Sequence, residues 1–264
     1  MKLKMILTIL AVLLLQLLPF RAEAVKYACG DNVTTGKKAE FVIIKEDEIN
    51  FRNAPEDGEI LCSLDQHTLL RVIKEKDRWL LVEGTAGVGY VFAGKTCPIQ
   101  KDEMVVEDFA LSFSDLNAPY DEESMEGFLG QPVESSTVKN KQYVDYEKLQ
   151  LVIDKKGYLT DIISRDPQLV TMRGIAVGDA EHKVVGQYGA PALVEYSAES
   201  TVYTYTYRLT PKYLFGMLFE FDKKGKVQSM TWTVLEKPKN EKKVKLKQEK
   251  TAKTEKEAEP AEEQ

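Results

Sequence analysis

The chain carries only two histidines, His67 and His182. A nucleophilic Ser or Cys needs a base beside it, so any imidazole-assisted acyl transfer would have to use one of these two. His67 falls in a turn between strand-like runs and His182 in the first turn of a helix-like segment, and neither stands in an active-site motif. Carboxylate pairs for glycosidic chemistry could be drawn from Glu122, Glu123, Glu195 or Glu199. None has the apolar setting that would keep a carboxyl protonated as a general acid, so all four read as solvated faces. The three cysteines, Cys29, Cys62 and Cys97, lie at no zinc-ligand spacing from either histidine. These residues predict neither enzyme, nor metal site, nor cofactor.

Aromatic side chains offer binding chemistry instead, because a flat ring with a polar edge gives contact area at low entropic cost. One set is Phe51, Trp79, Tyr90 and Phe92, with Arg78 beside the tryptophan. A second set is Tyr203, Tyr205 and Tyr207, whose alternation with Thr204 and Thr206 puts all three rings on one face of a strand. Each set has two readings: an exposed peptide- or protein-binding surface, or the core of its own domain.

The elements that carry the first set lie between Ile49 and Phe92. Apolar runs of four to seven residues, several alternating in period two, are separated by Pro, Gly or Asp breaks at short spacing. That pattern predicts a small closed antiparallel β-barrel. Within it, Asn50-x-Arg52-x-x-Pro55, Trp79-x-x-Val82 and Gly89-Tyr90-Val91 resemble the bacterial SH3 (SH3b) signature, over residues about 41–97, with Tyr90 where that family usually has Trp. Asp65-Gln66-His67 replaces the glycine that the family carries before its central strand. The resemblance implies an SH3-like barrel that binds cell-wall peptides or proteins rather than a catalyst.

The second set belongs to an expected α+β domain, residues 108–235, built of two duplicated helix-plus-antiparallel-sheet units (about 111–166 and 172–235). Met125, Phe128 and Leu129 before Gly130-Gln-Pro132, and Val184, Val185 and Tyr188 before Gly189-Ala-Pro191, predict two short helices that stop alike. Each is followed by strands and an Asp-Lys-Lys-Gly turn, at Asp154–Gly157 and Asp222–Gly225, where glycine supplies the positive φ of a tight hairpin. Gly174, Ile175, Gly178 and Asp179 before the second helix, and Tyr188, Gly189 and Pro191 at its end, resemble small outer-membrane assembly lipoproteins of the SmpA/OmlA type. The tandem arrangement is similar to β-lactamase-inhibitor-like folds. An inhibitor or envelope assembly factor acting through this domain is the alternative to a wall-binding scaffold.

The ends place the protein. Met1–Ala24 has Lys2 and Lys4, an apolar run from Met5 to Leu15 and the small-residue site Ala22-Glu23-Ala24, which together predict a cleavable export signal. Its removal moves the formal net charge from -6 to -8, since three basic residues and one acidic residue leave; an acidic surface argues against nucleic acid as a partner. Lys26-Tyr27-Ala28 before Cys29 is a poor match to a lipoprotein signal. The expected location is therefore periplasmic or extracellular and wall-associated, with no transmembrane segment in the mature chain. There disulfides persist, and Cys29 and Cys97, flanking the barrel of residues 25–100, are the expected pair. They would close a loop of about 69 residues, worth on the order of 4 kcal/mol, and leave Cys62 a half-buried thiol. The tail 236–264, nine Lys and eight Glu with few apolar residues, reads as disordered.

Overall fold

The computed structural model describes residues 40–111, 114–210 and 213–236. The export segment, Cys29 and the charged tail beyond Glu236 lie outside the described residues.

The first half forms one seven-stranded sheet: β1 (Phe41–Ile44), β2 (Ile49–Arg52), β3 (Ile60–Leu64), β4 (Leu69–Lys76), β5 (Trp79–Gly84), β6 (Gly87–Phe92) and β7 (Thr96–Ile99). All pairings are antiparallel, in the order β3-β2-β6-β5-β4-β1-β7. Turn chemistry sets the breaks. Asp77 (φ 54) and Gly87 (φ 99) adopt left-handed backbone at the tight β4–β5 and β5–β6 connections. Gly89 is required for another reason: a Cβ there would meet the Arg52 carbonyl and the Phe51 ring, each at 2.7 Å, where β6 crosses β2.

The second half contains α1 (Glu122–Leu129), β8 (Glu134–Val138), β9 (Lys141–Tyr146), β10 (Leu149–Ile153), β11 (Leu159–Ser164), α2 (Glu181–Tyr188), β12 (Leu193–Tyr196), β13 (Thr201–Arg208), β14 (Tyr213–Phe221) and β15 (Val227–Glu236). Its strands make one antiparallel sheet in the order β12-β13-β14-β15-β11-β10-β9-β8. Both Asp-Lys-Lys-Gly turns are built alike. Asp154 Oδ1 accepts the N–H of Lys156 (2.8 Å) and of Tyr158 (3.0 Å). Asp222 Oδ1 accepts those of Lys224 (2.8 Å) and Lys226 (2.9 Å), with Gly157 and Gly225 at φ 82 and 67.

This architecture corrects the expected fold. The chain is mostly antiparallel strand in two open sheets, and not a closed SH3-like barrel followed by an α+β domain of two duplicated helix-plus-sheet units. Two physical reasons stand out. First, β1 is buried on both faces. Val42 and Ile44 join the first sheet's own core with Ile49, Phe51, Leu64, Leu70, Leu80, Val82 and Val91. Phe41 and Ile43, with Leu69, Cys97 and Ile99, pack instead into the core of the second half, so apolar area that a free-standing barrel would expose is covered by the other sheet. Second, β11 pairs with β15, Ile162 opposite Trp232 and Ile163 opposite Thr231, which merges the strands after both helices into one sheet with one core. The helices are eight residues each, and α1 buries only Met125 while leaving Phe128 69% exposed. α2 buries Val184, Val185 and Tyr188 against the sheet, so helical cover among the described residues is confined to this one short element and the Met125 contact of α1.

The stretch after β7 is clamped. Arg173 grips Asp108 with two hydrogen bonds of 2.7 Å. It also bonds Asp102, the Glu103 carbonyl (2.9 Å) and the Gln187 carbonyl (3.0 Å), while its guanidinium lies 4.8 Å from the Tyr188 ring centre. Asp108 is buried, so this bidentate pair satisfies a charge that would otherwise be stranded.

Candidate functional site

The aromatic residues singled out from sequence divide by burial. Phe51 is 0% exposed and belongs to the core of the first sheet, where removing such a ring from water is worth roughly 1.5–3 kcal/mol; it is not a binding residue. Tyr203 and Tyr205 are 0% and 2% exposed, so they too are core and not a docking face. Their hydroxyls are spent internally, Tyr203 donating to Glu181 and Tyr205 to the Gly189 carbonyl at 3.0 Å. Burial pushes the Tyr203 phenol up and also raises the Glu181 carboxyl above its ordinary range. Tyr207, half-buried, stacks against Phe109 with ring centres 6.1 Å apart. The strand alternation read from the sequence is real, but the face it defines looks inward.

Trp79, Tyr90 and Phe92 behave differently. All three are half-buried, neither sealed in the core nor fully exposed, on the outer face of the first sheet. Register explains it: Trp79 pairs with Phe92, and Leu81 with Tyr90, across β5–β6, while the intervening Leu80, Val82 and Val91 point inward. Trp79 and Phe92 meet edge to face with centres 5.7 Å apart, and the exposed Arg78 guanidinium lies 5.9 Å from the centre of Phe92.

This pair forms one wall of a concavity of about 440 Å³ whose other lining includes Glu46, Asp47, Glu48, Asn50, Arg52 and Lys95. The acidic Glu46–Glu48 turn and Lys95 are site residues that sequence reasoning missed. The turn is pinned: Asp47 Oδ1 accepts the Gln66 N–H at 2.8 Å, Glu46 pairs with Lys95, and Glu48 adopts φ 61. Arg52, singled out only as part of the Asn50-x-Arg52 spacing, donates to the Gly58 carbonyl at 2.6 Å and so ties the following loop to the groove's edge. The arrangement offers stacking surface, cationic heads and an acidic rim within one groove. That is recognition chemistry, with no nucleophile beside a base.

The remaining candidates lie elsewhere. Glu122, Glu123, Glu195 and Glu199 are all exposed. Cys62 is a free, half-buried thiol whose pKa burial raises, which makes it a poorer nucleophile. Cys97 is disulfide-bonded; its expected partner, Cys29, lies outside the described residues. Among the described residues no cluster of three or more His, Cys, Asp or Glu is arranged to hold a metal ion, and no helix is long and apolar enough to cross a membrane.

Comparison with known proteins adds little to this picture. No curated protein matches the chain. Among solved structures, an extracellular protein containing a SCP domain from Bacillus anthracis str. Ames overlaps 51% of this chain and 48% of its own, at 8% identity and a TM-score of 0.33. The chain thus spans about half the length of that protein. The C-terminal domain of TagH overlaps 75% of this chain and 99% of its own, at 9% identity and a TM-score of 0.23. Neither likeness is close enough to carry an argument. In the second half of the molecule, residues 110–236 match the family model described as a domain of unknown function, DUF4309.

Proposed function

We propose that this protein is an exported, non-enzymatic binding or scaffold protein of the bacterial cell envelope, taking extended cell-wall or protein peptides in the groove walled by Trp79 and Phe92. The observation that carries the reading is the Trp79–Phe92 pair, left partly exposed on the outer face of a sheet whose Phe41 and Phe51 are wholly buried. A ring pair left at a groove beside Arg52 and Arg78 supplies the anchors that dominate binding energy at peptide interfaces. The acidic turn at Glu46–Glu48, sharing the groove with Arg52 and Lys95, favours a ligand that carries both ammonium and carboxylate groups, as short wall peptides do. The spacing that resembles SH3b modules, Asn50-x-Arg52 and Trp79, lies in the lining of this groove. Export is supported by the Met1–Ala24 signal and by the disulfide at Cys97, since such bonds persist outside the cytosol. The inhibitor or assembly-factor alternative loses its named surface, because Tyr203 and Tyr205 are core.

Co-sedimentation of the full chain with purified wall material tests this. Because the two sheets share a core, the whole chain is used and not the first sheet alone. Trp79→Ala and Phe92→Ala should each weaken retention by about tenfold or more, the scale of one hot-spot side chain. Retention of both variants at the level of the unaltered protein would sink the groove as the site.

A further inference from the structure

The chain's two histidines, distant in sequence, come together. His67 and His182 face each other with ring centres 5.7 Å apart and planes at 38°, on the wall of a second cleft of about 530 Å³ between the two sheets. His182 is exposed and His67 half-buried, so solvent reaches both rings. Each is held by its backbone. His67 sits at φ 68, its N–H bonded to the Ile44 carbonyl at 2.8 Å, in a turn where Gln66 donates to the Lys45 carbonyl at 2.7 Å and the Thr68 hydroxyl to that of Asp65 at 2.7 Å. His182 stands in the first turn of α2, fixed through the Glu181 N–H to the Gly225 carbonyl at 2.9 Å and the Ala180–Lys226 bridge.

We propose that His67 and His182 together bind one divalent transition-metal ion, Cu²⁺ more tightly than Zn²⁺, across the seam between the sheets. An imidazole nitrogen ligates at about 2.0–2.1 Å with its ring centre roughly 1 Å beyond, so two rings on one tetrahedral ion have centres roughly 5 Å apart. The observed separation needs only a small side-chain adjustment to reach that value. Imidazole is a preferred ligand of both ions, and their order follows the general affinity series for divalent metals. Of the acids in the cleft lining, Glu181 bonds Tyr203, Glu199 pairs with Lys223 at 3.0 Å and Asp222 holds its own turn, while Asp65 is a further exposed carboxylate of the lining. The two imidazoles are the ligands proposed, with water in the remaining coordination positions, which are open to a ligand entering the cleft. Because the histidines belong to opposite layers, a shared ion also cross-links the sheets.

The test uses the full chain without an affinity tag, titrated with Cu²⁺ and with Zn²⁺. Electron paramagnetic resonance of the Cu²⁺ form should show two coupled imidazole nitrogens. His67→Asn, chosen because Asn tolerates left-handed backbone, and His182→Gln should each weaken Cu²⁺ binding by about tenfold or more. Zn²⁺ should raise the melting temperature of the unaltered protein and of neither variant, since only binding to the folded state stabilises it. A single coupled nitrogen in the unaltered protein, a reading that depends on no variant, overturns the proposal, as does either variant binding like the parent.

Discussion

Two aromatic stripes alternate along strands of this protein, and they meet opposite fates. On β13, Tyr203 and Tyr205 are driven into the core beneath α2, where Tyr188 stands 5.2 Å from Tyr205 and Phe219 lies 5.8 Å away. On β5 and β6, Trp79, Tyr90 and Phe92 line an outer face and stay partly exposed. Period-two alternation assigns residues to a common face but does not say which face is covered. Covering is decided by elements far along the chain: α2 for β13, and for the first sheet the second half's core, which takes the β1 side and leaves the β5–β6 side open.

The contrast can be broken most forcefully at the two tryptophans. Trp232 is 0% exposed, and Trp232→Ala should cost about 3–5 kcal/mol, whereas Trp79→Ala should cost about 1 kcal/mol or less while weakening wall binding about tenfold or more. Denaturant titration of both variants measures the difference; equal costs would mean that Trp79 is core as well.

A second substitution probes what holds the covering elements in place. Arg173→Ala leaves Asp108 buried without its partner and should cost about 3–5 kcal/mol. Removing the exposed Arg71–Glu83 pair from β4 and β5 should cost about 1 kcal/mol at most. If Arg173→Ala fell in that lower range, the clamp on the segment after β7 would not be what fixes α2 over the tyrosines.

The smallest expected effect is in pH dependence. Burial raises the folded-state pKa of Glu181 above its ordinary 4.5. The folded chain therefore holds that proton after the unfolded chain has released it. The contribution to stability is full below pH 4.5 and declines as pH rises through the raised folded value. Glu181→Gln should flatten that part of the stability profile without altering wall binding. An unchanged slope would show that the carboxyl under Tyr203 is not desolvated.

Local chemistry made much of this legible beforehand. The strand breaks between Ile49 and Phe92, the helix stops at Gly130 and Gly189, and both Asp-Lys-Lys-Gly turns depend on residues within a few positions of each other, and each forms where its residues require. What could not be read depends on distant partners. Nothing in Phe41-Val-Ile-Ile44 says that both faces of the strand will be covered, nor does Ile162 announce Trp232 as its neighbour. The same limit hid half of the groove. Trp79 and Phe92 were singled out as aromatics, but the Glu46–Glu48 turn joins them only through the fold of β1 and β2, and an acidic triplet in an acidic chain carries no local mark. His67 and His182 looked unrelated for the same reason.

The central claim is that Trp79, unlike Trp232, is kept available for a ligand. These are the chain's two tryptophans, and Trp232 is sealed in the core, so acrylamide quenching of intrinsic fluorescence reports chiefly on Trp79. Titrating the full chain with soluble peptides released from cell wall should protect the fluorescence from quenching in a saturable way, and the protection should vanish in Trp79→Phe. Quenching that stays unchanged at every peptide concentration, in a protein that remains folded, would contradict the account.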